Sequence, residues 1–226
     1  MQLTRDSTLV APTGAMPRTA DAGTLAWYDR MAETYSEIVS RDAPDDDLKA
    51  FIRLLDPGAG PILDWGCGPG NTAAMLASLG FEGHATDASQ KMAELAAGLG
   101  IRVRVEPFEN LSSTPRYQGI WSNFGLSHIC IEHVPPLLSL AANALLPGGI
   151  LHLGMTTWRE GFEDGDRSGR DCFWLIFTQL HPDTLRRLLT SVGLQVLSLR
   201  ETSFEMMLSG GKTGCALVLA RKTATP

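Results

Sequence analysis

The stretch Ile62-Leu63-Asp64-Trp65-Gly66-Cys67-Gly68-Pro69-Gly70-Asn71 runs an apolar segment into a turn with glycine at every second position, and an acid stands just ahead of it. Glycine lets backbone approach a ligand where a Cβ would collide. The dinucleotide signature is GxGxxG, with a pyrophosphate resting on the following helix N-terminus. The spacing here is GxGxG, and the Asp64 carboxylate is awkward for a pyrophosphate but suits a cationic amine. The amides of the turn are expected to meet a carboxylate or other polar ligand atoms. Twenty-three positions beyond Asp64, a second apolar run ends at Asp87, where a carboxylate can accept hydrogen bonds from both hydroxyls of a ribose. The two ends together describe a nucleoside joined to an amino acid.

A second set of residues bears on proton transfer and on an acceptor. His128, in Asn123-Phe124-Gly125-Leu126-Ser127-His128, follows an apolar run, and its imidazole can take a proton from a hydroxyl or amine near neutral pH. His128, Cys130, Glu132 and His133 crowd into six residues, a spacing that does not give a tetrahedral metal set, so no metal is expected. The connection from Thr157 to Gln179 mixes charges, glycines and aromatics and reads as a lid facing a substrate. Arg159 and Arg170 would clamp an acidic acceptor; Trp158, Phe173, Trp174 and Phe177 would wall an apolar one. The sequence does not choose between them.

These residues need a scaffold, and the hydrophobic rhythm supplies one. In LAWYDRMAETYSEIV, from Leu25, the residues Trp27, Met31, Tyr35 and Ile38 fall on one helical face. A second helix is predicted from Asp46 to Leu55, ended by Pro57-Gly58. Strands are then predicted at Pro61 to Trp65, Gly83 to Asp87, Ile101 to Val105, Gly119 to Asn123 and Gly149 to Met155. Helices are expected between them at Asn71 to Leu79, Ser89 to Leu99 and Val134 to Leu145. The alternation implies a parallel sheet with helices on both faces. A helix from Pro182 to Ser191 precedes two apolar runs, Leu194 to Phe204 and Gly214 to Ala220, joined by Ser209-Gly210-Gly211-Lys212. A connection that short cannot make a right-handed parallel crossover, so at least one terminal strand must run antiparallel.

In this order and spacing the chain resembles the class I S-adenosylmethionine-dependent methyltransferases, specifically those with the generic small-molecule methyltransferase domain. The resemblance runs from Trp27 to the C-terminus. It rests on Asp64 to Gly70, Asp87, Pro107-Phe108-Glu109-Asn110-Leu111, Gly119 to Asn123 and Leu146-Pro147-Gly148-Gly149. It implies an α/β, doubly wound Rossmann-like fold with a seven-stranded, mostly parallel sheet and an antiparallel C-terminal hairpin. It implies S-adenosyl-L-methionine as cofactor and S-adenosyl-L-homocysteine as product. By the same resemblance Gly66, Cys67, Gly68 and Gly70 would line the methionine part, with Asp64 near its amine and Asp87 on the ribose. Ala88, Met92 and Phe108 would pack beside adenine, with Glu109 or a nearby backbone group reading its amino edge. Tyr28 and Tyr35 would cover the methionine end, and Asn123 would sit at the end of the fourth strand. His128 is the candidate catalytic base, and Arg159, Arg170 and Trp174 are the candidate acceptor contacts.

Composition limits the partners. The 226 residues carry a net charge of −6, with 44% hydrophobic and 19% charged residues and no cluster of Lys and Arg, which argues against a nucleic-acid partner. Four cysteines lie far apart with no CxxC pair, and no apolar run is long enough to span a bilayer, so a soluble, cytoplasmic protein without membrane partners is expected. Residues 1–22 read as a flexible leader and residues 23–226 as one methyltransferase domain, monomeric or homodimeric. The expected activity is methyl transfer to an O or N atom of a small molecule. The alternatives are a noncatalytic S-adenosylmethionine-binding sensor or partner subunit and, less favoured by the GxGxG spacing, a nicotinamide oxidoreductase.

Overall fold

A computed structural model describes residues 18–162, 164–206 and 210–223. Most of the expected leader (residues 1–17), Glu163 and Ser209 of the terminal turn lie outside the described residues.

The chain opens with two helices, α1 (Ala22–Val39) and α2 (Asp46–Ile52). It then alternates β1 (Ile62–Trp65), α3 (Asn71–Ser78), β2 (Gly83–Asp87), α4 (Gln90–Gly98), β3 (Val103–Val105), β4 (Tyr117–Asn123), α5 (Val134–Ala144) and β5 (Leu145–Arg159). A small hairpin follows, β6 (Arg167–Arg170) and β7 (Ile176–Gln179), before α6 (Pro182–Ser191), β8 (Leu194–Glu205) and β9 (Lys212–Lys222). Local chemistry sets the helix starts: Asp21, Asp45 and Ser89 accept from the Thr24, Leu48 and Met92 amides at the N-termini of α1, α2 and α4. Asp21 is the reason α1 begins at Ala22, one turn earlier than the apolar spacing indicates.

Seven strands form one sheet in the order β3-β2-β1-β4-β5-β9-β8, and β6-β7 pair separately. Strands β1 to β5 are mutually parallel, and β9 runs antiparallel between β5 and β8. The order reverses between β1 and β4, so a crevice opens there above the C-terminal strand ends, the usual binding place in such sheets. Side chains alternate across the sheet. Leu63 and Ile120 enter a large cluster with Leu137 and Leu138 of α5 and Leu185 and Leu189 of α6. Ile62 and Trp121 enter a smaller one with Leu48 and Phe51 of α2 and Leu76 of α3. Deleting such a buried leucine side chain typically costs about 2–5 kcal/mol. No helix among the described residues is long and apolar enough to cross a membrane.

The largest departure from the sequence reading lies after Met155. Strand β5 continues to Arg159 because β9 extends beside it, pairing Thr156 with Cys215, Trp158 with Gly214 and Arg159 with Thr213. The expected lid is therefore a strand end plus an antiparallel hairpin in which Arg167 pairs with Gln179 and Arg170 with Ile176.

Candidate functional site

A cavity of about 650 Å³ opens at the strand order reversal, within the range of small-molecule sites. Its floor is the glycine turn between β1 and α3. Gly66 has φ 78°, and a Cβ there would stand 2.8 Å from the Phe108 ring. Gly70 does not line the cavity; at φ 88° it starts α3, where a Cβ would meet Ala96 at 2.6 Å. The turn amides are already committed: those of Gly66 and Cys67 both donate to the Thr86 carbonyl, each at 2.9 Å, and that of Gly68 donates to Asp87 at 2.8 Å. A ligand therefore meets the bare Cα surface of the turn, whereas the sequence reading looked for free amides.

Asp64 and Asp87 stand on either side of that turn and both line the cavity. Asp64 is 3% exposed, and its Oδ2 accepts from the Ala73 amide at 3.0 Å. Burial, with the negative charge of Asp87 adding to it, lifts the Asp64 carboxyl to about 7; the Ala73 amide and Arg41 offset this in part. Asp87 accepts from the Gly68 amide through Oδ2 and from the Ser89 amide through Oδ1, each at 2.8 Å, so one carboxylate braces both the glycine turn and the start of α4. Burial raises its carboxyl as well, and these amides oppose the rise.

Next to Asp87, Ala88, buried Met92 and Phe108 line the wall where an adenine was expected. The Phe108 ring stands edge-on to Trp65 at 4.9 Å. Glu109 does not face the cavity: its carboxylate accepts from the amide and hydroxyl of Thr19 at 3.0 and 2.5 Å. That contact fastens the segment before α1, inside the expected leader.

At the opposite end lies Arg41, which the sequence reading did not single out. Its guanidinium donates to Thr72 Oγ1 at 2.6 Å and to Asp45, close enough to Asp64 to act on it. Nothing in the local sequence marks Arg41, because α1 and the turn into α2 bring it to the glycine loop. Cys67 and Asn123 also line the cavity. The buried Cys67 thiol is pushed upward by burial and the two nearby carboxylates, which keeps it protonated.

Helix α1 roofs the cavity with Tyr28 and Tyr35, whose rings meet edge-on at 5.4 Å. The Tyr28 hydroxyl is 2.7 Å from His128 Nε2, and His128 Nδ1 is 2.8 Å from the Ile176 carbonyl oxygen. Since a carbonyl can only accept, Nδ1 carries the ring proton, Nε2 is the free base, and Tyr28 donates to it. Burial lowers the His128 pKa, opposed by the Ile176 carbonyl and the Asp171 charge. Neutral imidazole is thus the form held at neutral pH. Phe124, at φ 63°, sits between Asn123 and His128 on the cavity wall; a non-glycine residue in this region is strained backbone at a candidate site. Asn123 faces His152, which is stacked on Trp121 at 3.6 Å and pushed down to about 3, chiefly by burial.

The acceptor candidates separate. Arg159 lines the cavity and pairs with Asp171 at 3.2 Å. Arg170 and Trp174 do not line it. Arg170 pairs with Asp21 at 2.8 Å and donates to the Trp174 carbonyl at 2.7 Å, and Trp174 is 70% exposed. Phe173 and Phe177 are on the wall, joined by Phe204 and Thr213 from β8 and β9, which the sequence offered no sign of. Among the described residues no group of three or more His, Cys, Asp or Glu is placed to hold a metal ion.

Comparison with known proteins gives a consistent result. Residues 62–149 match the family described as "Methyltransferase domain". No curated protein matches the chain. Among solved structures, a S-adenosylmethionine-dependent methyltransferase from Methanosarcina mazei superposes with a TM-score of 0.68 at 19% identity, over 78% of this chain and 98% of that one. The 1,6-didemethyltoxoflavin-N1-methyltransferase of Burkholderia thailandensis, with its substrate and S-adenosylhomocysteine bound, gives 0.67 at 18% identity over 90% and 88%. Phosphoethanolamine N-methyltransferase 2 of Haemonchus contortus, with phosphomonomethylethanolamine and S-adenosylhomocysteine, gives 0.64 at 13% identity over 88% and 58%.

Proposed function

Since this chain is a class I S-adenosylmethionine-dependent methyltransferase, its residues 62–149 matching the methyltransferase domain family, we propose that it methylates an oxygen or nitrogen atom of a small molecule. The observation that carries the reading is the placement of Asp64 and Asp87 across the glycine turn in one cavity that also receives His128. The donor set fits the cofactor: a buried carboxylate for an amine, Arg41 with Thr72 for a carboxylate, Asp87 for ribose hydroxyls, and Met92 and Phe108 for an adenine. When bound, the cofactor supplies a sulfonium-activated methyl group, which leaves the protein mainly to align the acceptor.

The chain's own part is orientation and proton removal. The Tyr28 hydroxyl and His128 Nε2 are in contact and both residues line the cavity, so a proton leaving the acceptor can pass to the Tyr28 oxygen as Tyr28 hands its own to Nε2. The Ile176 carbonyl fixes the tautomer for this transfer. Two N-methyltransferases among the structural neighbours are named for small acceptors, which supports the same acceptor size here.

Calorimetric titration with S-adenosylhomocysteine, using NADH as the competing ligand, tests the cofactor. Micromolar binding of the former alone is expected; tight NADH binding, or binding of neither, would sink the reading.

A further inference from the structure

We infer that Asp171 is a positioning residue for the proton transfer: it builds the loop that presents the Ile176 carbonyl to His128 Nδ1, and it supplies the negative charge facing the imidazolium, an assignment that rests on the reading of His128 as base above.

The loop is short and closed on itself. Asp171 Oδ1 accepts from the Phe173 and Leu175 amides at 2.9 and 3.0 Å, so one carboxylate oxygen gathers two successive turns of backbone. The Asp171 amide donates to the Leu175 carbonyl at 3.0 Å, and the Trp174 amide donates to the Asp171 carbonyl at 2.9 Å. These four bonds hold Trp174 at φ 65°, a conformation that is costly for a residue with a Cβ. Ile176 is the first residue of β7 beyond the loop, and its two backbone groups are both taken. Its amide donates to Thr24 Oγ1 of α1 at 3.1 Å, and its carbonyl accepts from His128 Nδ1 at 2.8 Å. The position of that carbonyl, and with it the tautomer of His128, therefore follows from the loop that Asp171 closes.

Charge gives the carboxylate a second part. When Nε2 takes the Tyr28 proton, the ring becomes a cation in a buried place, which is costly without a compensating charge. Among the described residues, the charged or titratable groups that face this ring are Tyr28 from α1, Arg159 from β5 and Asp171 from the loop; β7 brings none. Asp171 favours the charged ring and Arg159 opposes it. In the familiar acid-histidine pair the carboxylate accepts directly from the ring N–H. Here the Ile176 carbonyl accepts from Nδ1–H instead, and Asp171, 6% exposed at the cavity wall, acts through the loop and through space.

Nuclear magnetic resonance of the histidine ring nitrogens tests both parts without an acceptor. The full chain is labelled with nitrogen-15 and saturated with S-adenosylhomocysteine; it has five histidines, and the His128 signals are those lost in His128→Gln. In the wild type His128 is expected as the Nδ1–H tautomer, protonating at Nε2 with a midpoint below 6.5. Asp171→Asn keeps an oxygen for the two loop amides but removes the charge. It is expected to keep the tautomer and lower the midpoint by about half a pH unit or more, a shift that loss of a purely structural contact would not produce. Asp171→Ser, uncharged with a hydroxyl as the loop acceptor, carries the same test if Asp171→Asn folds poorly. Asp171→Ala also opens the loop, and exchange of the Nδ1 proton and of the Leu175 amide is expected to speed up at least about tenfold. The proposal is overturned by an unmoved midpoint in a folded uncharged variant, by unchanged exchange in Asp171→Ala, or by a wild-type ring that never protonates before the chain unfolds in acid. A neutral wild-type ring carrying its proton on Nε2 would instead overturn the base assignment. Failure of S-adenosylhomocysteine to bind would overturn the methyltransferase reading itself.

Discussion

The two halves of the cavity are made in different ways. On the proposed cofactor side, Asp64, the glycine turn and Asp87 come from one continuous strand-turn-helix-strand segment, and its amides are satisfied inside that segment. On the proposed acceptor side, Tyr28, His128, Arg159 and Thr213 come from α1, the turn after β4 and the ends of β5 and β9. Long-range side-chain contacts hold them, such as Tyr28 to His128, Arg170 to Asp21 and the Ile176 amide to Thr24 Oγ1. Backbone geometry fixes the first half; the second is fixed by side chains that can be exchanged one at a time. A fold can therefore keep its cofactor while its acceptor changes.

Substitutions that affect one half and spare the other sharpen this division. His128→Ala should have the largest effect, lowering kcat about 10²- to 10⁴-fold in an acceptor assay while S-adenosylhomocysteine affinity stays within about twofold. If both fell together, the two halves would not be separable and His128 would be structural. Asp87→Ala should do the reverse, weakening S-adenosylhomocysteine by about 1–3 kcal/mol in calorimetry. An unchanged affinity would remove Asp87 from the ribose and take the division with it.

The pH dependence is smaller and has a definite sign. The Asp64 carboxyl, lifted to about 7, is an anion above that pH and neutral below it. A cationic amine needs the anion, so S-adenosylhomocysteine affinity should fall by at most about tenfold per pH unit below 7. Asp64→Asn should flatten the profile. For the unliganded fold the sign is opposite: a carboxyl raised above its unfolded value of 3.8 penalises the native state above 7, and that penalty is relieved as the pH falls toward 4. Arg170→Gln should be the smallest change, with a slight drop in Tm and S-adenosylhomocysteine affinity within about twofold, because Arg170 does not line the cavity and the Asp21 carboxylate it leaves at the cavity edge still caps α1. A large loss of affinity there would show that the two halves are coupled through α1.

Legibility in the sequence followed the same division. The proposed cofactor residues announce themselves because glycine, acid and strand length are local signals, and Gly83 to Asp87 and Pro182 to Ser191 have the predicted bounds. Gly70 belongs to the motif but serves α3 and Ala96, a distinction that only packing makes. Glu109 and Arg170 are charged residues in plausible places, yet each is drawn to the segment before α1, to Thr19 and Asp21. Arg41 and Thr213 carry no local mark, since chain turns and strand register bring them to the cavity. The hairpin after β5 escaped notice because Arg167 to Arg170 is polar and its pairing partner begins at Ile176, with no alternation to reveal it.

Asp21 caps the first turn of α1 by accepting from the Thr24 amide at 2.8 Å, and the same carboxylate takes Arg170 from the β6–β7 hairpin. The arginine holds this carboxyl down at about 2, so the contact persists across the working pH range. The consequence is that fraying of the helix start and lifting of the hairpin are one cooperative event. The Thr24 amide is therefore a built-in reporter: its deuterium uptake would record how often the wall beside the acceptor opens, without any probe attached to the wall itself.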